Sequence, residues 1–209
     1  MFRSQIISGD IRTGGHRYVV VGVNARDNCG SAAKSICEGL RVSITQLKHA
    51  ARCGDVGGVI RIEAGPATAS DHAVTVLGLV LRRDAKLPIR IEDLRSAVEE
   101  LVRFLRHLDP RAMHTADVGM VAAGTGGGRL LGGFATLLRV LIDEGYPGLV
   151  YQPDDPGHRL GEAALRQLGV AGAASDPLPP WRGGAVMEPP PPPIELRPSP
   201  FRAHVHTHG

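Results

Sequence analysis

Chemistry-bearing residues in this 209-residue chain are densest at positions 124–133, which read GTGGGRLLGG. Gly124, Thr125, Gly126, Gly127 and Gly128 precede Arg129, between a strand-like and a helix-like segment. Successive glycines admit positive φ and let main-chain N–H groups converge on one point, while a helix N-terminus adds about half a positive charge. An anion is favoured at such a turn, and the Arg129 guanidinium can grip a phosphate through two parallel hydrogen bonds. The plainer alternative is a tight turn beside a solvated arginine. Asp154 and Asp155, with His158, follow the next strand-like segment. In a parallel arrangement they would border the same turn, as ligand contacts or simply as an acidic loop.

Named phosphate motifs do not fit this loop. A P-loop needs Gly-Lys-Ser/Thr, and no lysine follows Lys86. The dinucleotide fingerprint fails at its last position, where Arg129 stands, although Gly132 and Gly133 lie close by. Other reactive side chains are scattered: His16, His49, His72, His107 and His114 have no partner at metal spacing and are expected to be satisfied structurally. Cys29, Cys37 and Cys53 fit neither a zinc pattern nor a disulfide framework, and read as small core residues of a reducing compartment. At the far end, His204, His206 and His208 alternate. In an extended chain they point the same way, a geometry that chelates Zn, Ni or Cu. An unselected tail is the alternative.

Two resemblances arise around the glycine-rich loop. Arg129-x-x-Gly132, then Leu137-Leu138, Gly145-Tyr146, GLVYQPDD and EAALRQLGV resemble the acyl-CoA-binding half of the GNAT acetyltransferases, over residues 126–170. That resemblance implies main-chain amides holding a pyrophosphate at the turn. It departs in a short following helix, in a helix preceding the strand before the turn, and in the lack of strands after Val170. GGGR before a helix ending in DEG also looks like the oxyanion loop of patatin-type lipases, whose Gly-x-Ser-x-Gly nucleophile has no counterpart here. What the two share is a strand-turn-helix anion cradle.

The elements that must position these residues follow from hydrophobic patterning. Residues 17–24 (RYVVVGVN) read as a buried strand, and Asp27, Asn28 and Ser31 offer N-caps for one helix over about residues 30–52, with Ala33, Ile36, Cys37, Leu40, Ile44 and Leu47 on one face. Strands are predicted at 59–64 and 72–83, antiparallel because the loop between them is too short for a crossover helix. A helix from Ile91, stopped by Asp109-Pro110, a strand at 117–123, a helix at 131–143, a strand at 148–152 and a helix at 161–168 ending at Gly169 complete the reading. The order β-α-β-β-α-β predicts an α/β (α+β) chain with a ferredoxin-like core, an antiparallel sheet carrying helices on one face, extended by a C-terminal α-β-α. One domain is expected over residues 1–174. Ten of the sixteen prolines fall in residues 175–209, so these read as an extended or disordered tail.

Composition sets the outer bounds. Hydrophobic residues make up 43% of the chain and charged residues 22%, enough to bury a core, while aromatics at 4% leave that core to Val, Ile, Leu and Ala. Residues 1–90 hold 13 Lys/Arg against 7 Asp/Glu, yet without aromatic platforms or a dense basic cluster nucleic acid is not expected as a partner. No apolar run is long enough for a membrane span, and no signal-like stretch opens the chain, so a cytoplasmic protein is expected. Two functions stay open. One is a small-molecule protein holding a nucleotide or CoA ester at the glycine-rich turn, with acyl transfer as the chemistry a CoA ester would bring. The other is a non-catalytic ferredoxin-like regulatory or assembly module whose Pro/His-rich tail recruits a partner. No cofactor is assigned. A homodimer, or cover by the C-terminal extension, is expected because one face of a ferredoxin-like sheet would otherwise be bare.

Overall fold

The computed structural model describes residues 5–26, 30–63, 74–108, 115–123, 130–152 and 160–169, all within the unit Met1–Gly172. Its strands are Ile6–Ile7 (β1), Tyr18–Asn24 (β2), Val59–Glu63 (β3), Thr75–Arg82 (β4), Val118–Val121 (β5) and Leu149–Tyr151 (β6). Its helices are Ser31–Gly39 (α1), Ile44–Cys53 (α2), Ile91–Leu108 (α3), Gly133–Asp143 (α4) and Leu160–Gln167 (α5). The strands form one sheet in the order β1-β6-β5-β2-β4-β3. All neighbours are parallel except β3, which pairs antiparallel with β4 at the edge. The expected Pro-rich tail lies outside the described residues.

The positions of β2 to β6 and the β3–β4 pairing match the sequence reading; β1 was not expected, and the ferredoxin-like core is not what forms. The cause is one break. The predicted helix over 30–52 is two helices, separated where Arg41 takes φ 56° and Val42 buries itself in the core. Ser43 then caps α2 by accepting a hydrogen bond from the Gln46 amide at 3.3 Å. One helix after β2 would have returned the chain to the strand's starting end and made β3 parallel to β2. The second helix carries it back to the other end, so β3 runs opposite to β2, and the β3–β4 pairing makes β4 parallel to β2. Single crossovers through α3 and α4 then keep β5 and β6 parallel. A mostly parallel sheet with one antiparallel edge strand is therefore the observed arrangement.

Both faces of the sheet are covered, as a parallel sheet requires. Tyr18, Val20, Leu77 and Leu79 pack under α3 and α4. Val19, Val21, Val23, Val76 and Val80 pack under α1 and α2. The face that a second copy or the C-terminal extension was expected to cover thus carries the chain's own α1 and α2, which removes the reason for expecting either. Among the described residues no helix is long and apolar enough to cross a membrane.

Candidate functional site

Parallel strands end together, and their carboxyl ends leave a crevice where chain exits diverge to opposite faces. Here the crevice is a cleft of about 310 Å³. Its floor is residues 22–24 of β2, 81–82 of β4 and 121–123 at the end of β5, one wall is residues 30–33 at the start of α1, and Ile89 also lines it. Small residues dominate the lining, among them Gly22, Ala32, Ala33, Ala122 and Ala123.

The α1 N-terminus is built for exposure of its amides. Its N-cap, Gly30, makes no side-chain cap, and its first turn holds no acidic residue. The first N–H groups of a helix have no intrahelical partners and carry the positive end of the helix dipole, and residues 30–33, at the start of α1, line the cleft. Ser31, expected as a cap, is instead the first helical residue; Asp27 and Asn28 lie outside the described residues. Two polar side chains complete the floor. Asn24 is 7% exposed, and the Arg82 Nε donates to its Oδ1 at 2.7 Å.

The glycine-rich loop begins and ends at this cleft. Ala123 lines it directly, and Leu130 pairs with Ile89, which also lines it. Gly124, Thr125, Gly126, Gly127, Gly128 and Arg129 themselves lie outside the described residues. The downstream glycines have another task. Gly132 and Gly133 take φ of 76° and 54° to open α4, and the Gly133 N–H donates to the Leu130 carbonyl at 2.9 Å. That amide is spent on the turn, so the cradle expected over 124–133 does not extend to Gly133. Asp154 and Asp155 are also outside the described residues, but the strands that launch the two loops are neighbours in register, Val121 opposite Tyr151. His204, His206 and His208 lie outside as well. Among the described residues no group of His, Cys, Asp and Glu could hold a metal ion.

A separate polar cluster is structural. His16, 5% exposed, places Nδ1 2.7 Å from the Ala116 carbonyl and Nε2 2.7 Å from the Tyr151 hydroxyl. A carbonyl only accepts, so Nδ1 carries the proton and Nε2 accepts from Tyr151. Burial lowers the His16 pKa, against the Ala116 bond and the Asp117 carboxylate, which raise it. Burial, with the Asp10 carboxylate, raises that of Tyr151. The expectation that a lone histidine is satisfied structurally describes His16 well. Of the cysteines, Cys37 is buried, Cys53 is exposed and Cys29 is outside the described residues.

No protein-family model and no curated protein matches the sequence. Solved structures do. The macrodomain of Mycobacterium tuberculosis DarG superposes with a TM-score of 0.58 at 16% identity, covering 71% of this chain and 98% of that one. The macrodomain of Thermus aquaticus DarG gives 0.57 at 13%, covering 72% and 97%. The fold is that of a macrodomain. Thermosipho africanus DarTG, solved in complex with ADP-ribose, gives 0.55 at 16% and covers 77% of this chain and 43% of that longer one. The macrodomain fold replaces the ferredoxin-like arrangement and the folds implied by the acetyltransferase and lipase resemblances. Sequence reasoning missed the cleft residues Asn24, Ser31, Ala32 and Arg82. The available signals were an Asn and an Arg ending otherwise apolar strands and a Gly-Ser-Ala-Ala helix start without an acid.

Proposed function

We propose that the chain binds a phosphate-bearing small molecule of the ADP-ribose type in the cleft at the carboxyl ends of β2, β4 and β5. The observation that carries this reading is the α1 N-terminus, which among the described residues has no side-chain cap and lines a cleft of about 310 Å³. Such a volume lies at the lower end of small-molecule sites, and a helix start of this kind favours a pyrophosphate. Support also comes from the Thermosipho africanus DarTG structure of the same fold, which contains ADP-ribose. The sequence expectation that Gly124–Arg129 grips a phosphate, with Asp154 and Asp155 as ligand contacts, belongs to the same reading.

The test is isothermal titration of the full chain with ADP-ribose, ATP, NAD and acetyl-CoA, together with two variants. Ala32→Glu introduces a carboxylate at an exposed position of the first turn, where it suits the helix dipole and so spares folding. It should weaken ADP-ribose binding at least about tenfold without lowering the melting temperature. Arg129→Ala should cost about 1.5 to 3 kcal/mol of binding, the range for a hydrogen bond to a charged group. Tighter binding of acetyl-CoA than of ADP-ribose would favour acyl transfer, and no binding of any of the four would return the chain to the regulatory or assembly reading.

A further inference from the structure

β2 and β4 run in register from Tyr18 opposite Thr75 to Val23 opposite Val80, and then slip: Asn24 stands opposite Arg82, leaving Leu81 as an extra residue. Bulges between parallel strands are rare, and they re-aim the side chain that follows. Without this one, Arg82 would follow Val76 and Val80 toward α1 and α2; with it, Arg82 lies beside Asn24, and its Nε meets Oδ1. The same guanidinium donates through Nη1 to the Leu87 carbonyl at 3.0 Å. That carbonyl belongs to the connection that turns at Asp84, where the Lys86 amide donates to the carboxylate at 2.9 Å and the Leu87 amide to the main-chain carbonyl at 3.1 Å. Two residues on, Ile89 lines the cleft and pairs with Leu130, the downstream anchor of the glycine-rich loop.

We propose that Arg82 is a positioning residue of the cleft, tying Asn24 on its floor through Leu87 and Ile89 to the anchor of the glycine-rich loop. The role rests on the ligand reading above, because its purpose is to hold the cleft floor and the Ile89–Leu130 pair at one spacing. An arginine suits the task, since its planar fork fixes two acceptors in different directions, whereas the point charge of a lysine cannot span both. The bulge is then a device for aiming this side chain.

The experiment uses the full chain with ADP-ribose as probe, comparing Arg82→Met and Arg82→Lys with the unchanged protein. Both variants should bind about tenfold more weakly, the loss coming from faster dissociation. Amide hydrogen exchange should rise around Ile89 and Leu130 while staying unchanged in α3 and the centre of β4. Adding Asn24→Ala to Arg82→Met should cost little more than either change alone, because the two act as one unit. Equal affinity in the variants, or unchanged exchange around Leu130, overturns the proposal. So does exchange that rises everywhere with a lower melting temperature, the mark of a merely structural residue; Arg82→Lys decides the matter if Arg82→Met does not fold. Failure of the unchanged protein to bind ADP-ribose overturns the ligand reading itself, a result distinct from any of these.

Discussion

His16 shows how one buried side chain can set the conditions under which the protein is stable. Its ring fills the space over Gly119, where an added Cβ would come within 2.5 Å of Cδ2, and its two nitrogens join the Ala116 carbonyl to Tyr151. Burial holds the folded-state pKa below the ordinary 6.5. The unfolded chain therefore takes up this proton first as the solution is acidified. The contribution is complete above about pH 6.5 and is lost as the pH falls from there through the folded value. Melting temperatures measured from about pH 8 down to about pH 5 should decline in the lower half of that range. His16→Gln should flatten the decline, and an equally steep profile in that variant would assign it to other groups. Tyr151→Phe removes the donor to Nε2 and leaves a buried acceptor, at a cost of about 1 to 3 kcal/mol by denaturant titration. Gly119→Ala should cost about as much, since the ring must shift.

Between single residues and the sheet stand the elements, and the joint between α1 and α2 decides the topology. Ser43→Ala removes the α2 cap and should destabilise the chain by about 1 kcal/mol in a chemical melt. A variant in which residues 40–43 are replaced by strong helix formers would test the joint more severely. A continuous helix over 31–53 would deliver β3 in the wrong direction, so the chain should lose its cooperative transition rather than merely weaken it. The sequence carries this joint openly. Ser43-x-x-Gln46 is a capping-box pattern, yet the apolar repeat through Leu40, Ile44 and Leu47 passes straight across it, and periodicity alone reads one helix. The long apolar strands and α3 were legible because burial on one or both faces writes itself into side-chain order. β1 was not, because two residues that pair with β6 and owe their place to it carry no local period. For the same reason Arg82 was invisible as part of a site: its place beside Asn24 depends on a slip between strands 58 residues apart in sequence.

For the molecule as a whole, three parallel strands end at one place, a helix begins there without a side-chain cap among the described residues, and Ala123 and Ile89, the latter paired with Leu130, line the same cleft. The glycine-rich segment was the feature the sequence announced most clearly, but the described cleft is lined by residues outside it. The floor and the α1 wall come from residues 22–24, 30–33 and 81–82, with the parallel pairing of β2 with β4 and β5 bringing the strand ends together. The central claim is that an ADP-ribose-type ligand occupies this cleft with its phosphates on the α1 amides. The most direct measurement is a titration of the isotopically labelled full chain with ADP-ribose, followed by amide chemical shifts. The account predicts that the amides of Ser31, Ala32 and Ala33 shift most, with those of Asn24 and Ala123, while α2 and the outer face of α3 stay still. Shifts confined to other surfaces, or none at concentrations that saturate a site of micromolar affinity, would contradict it.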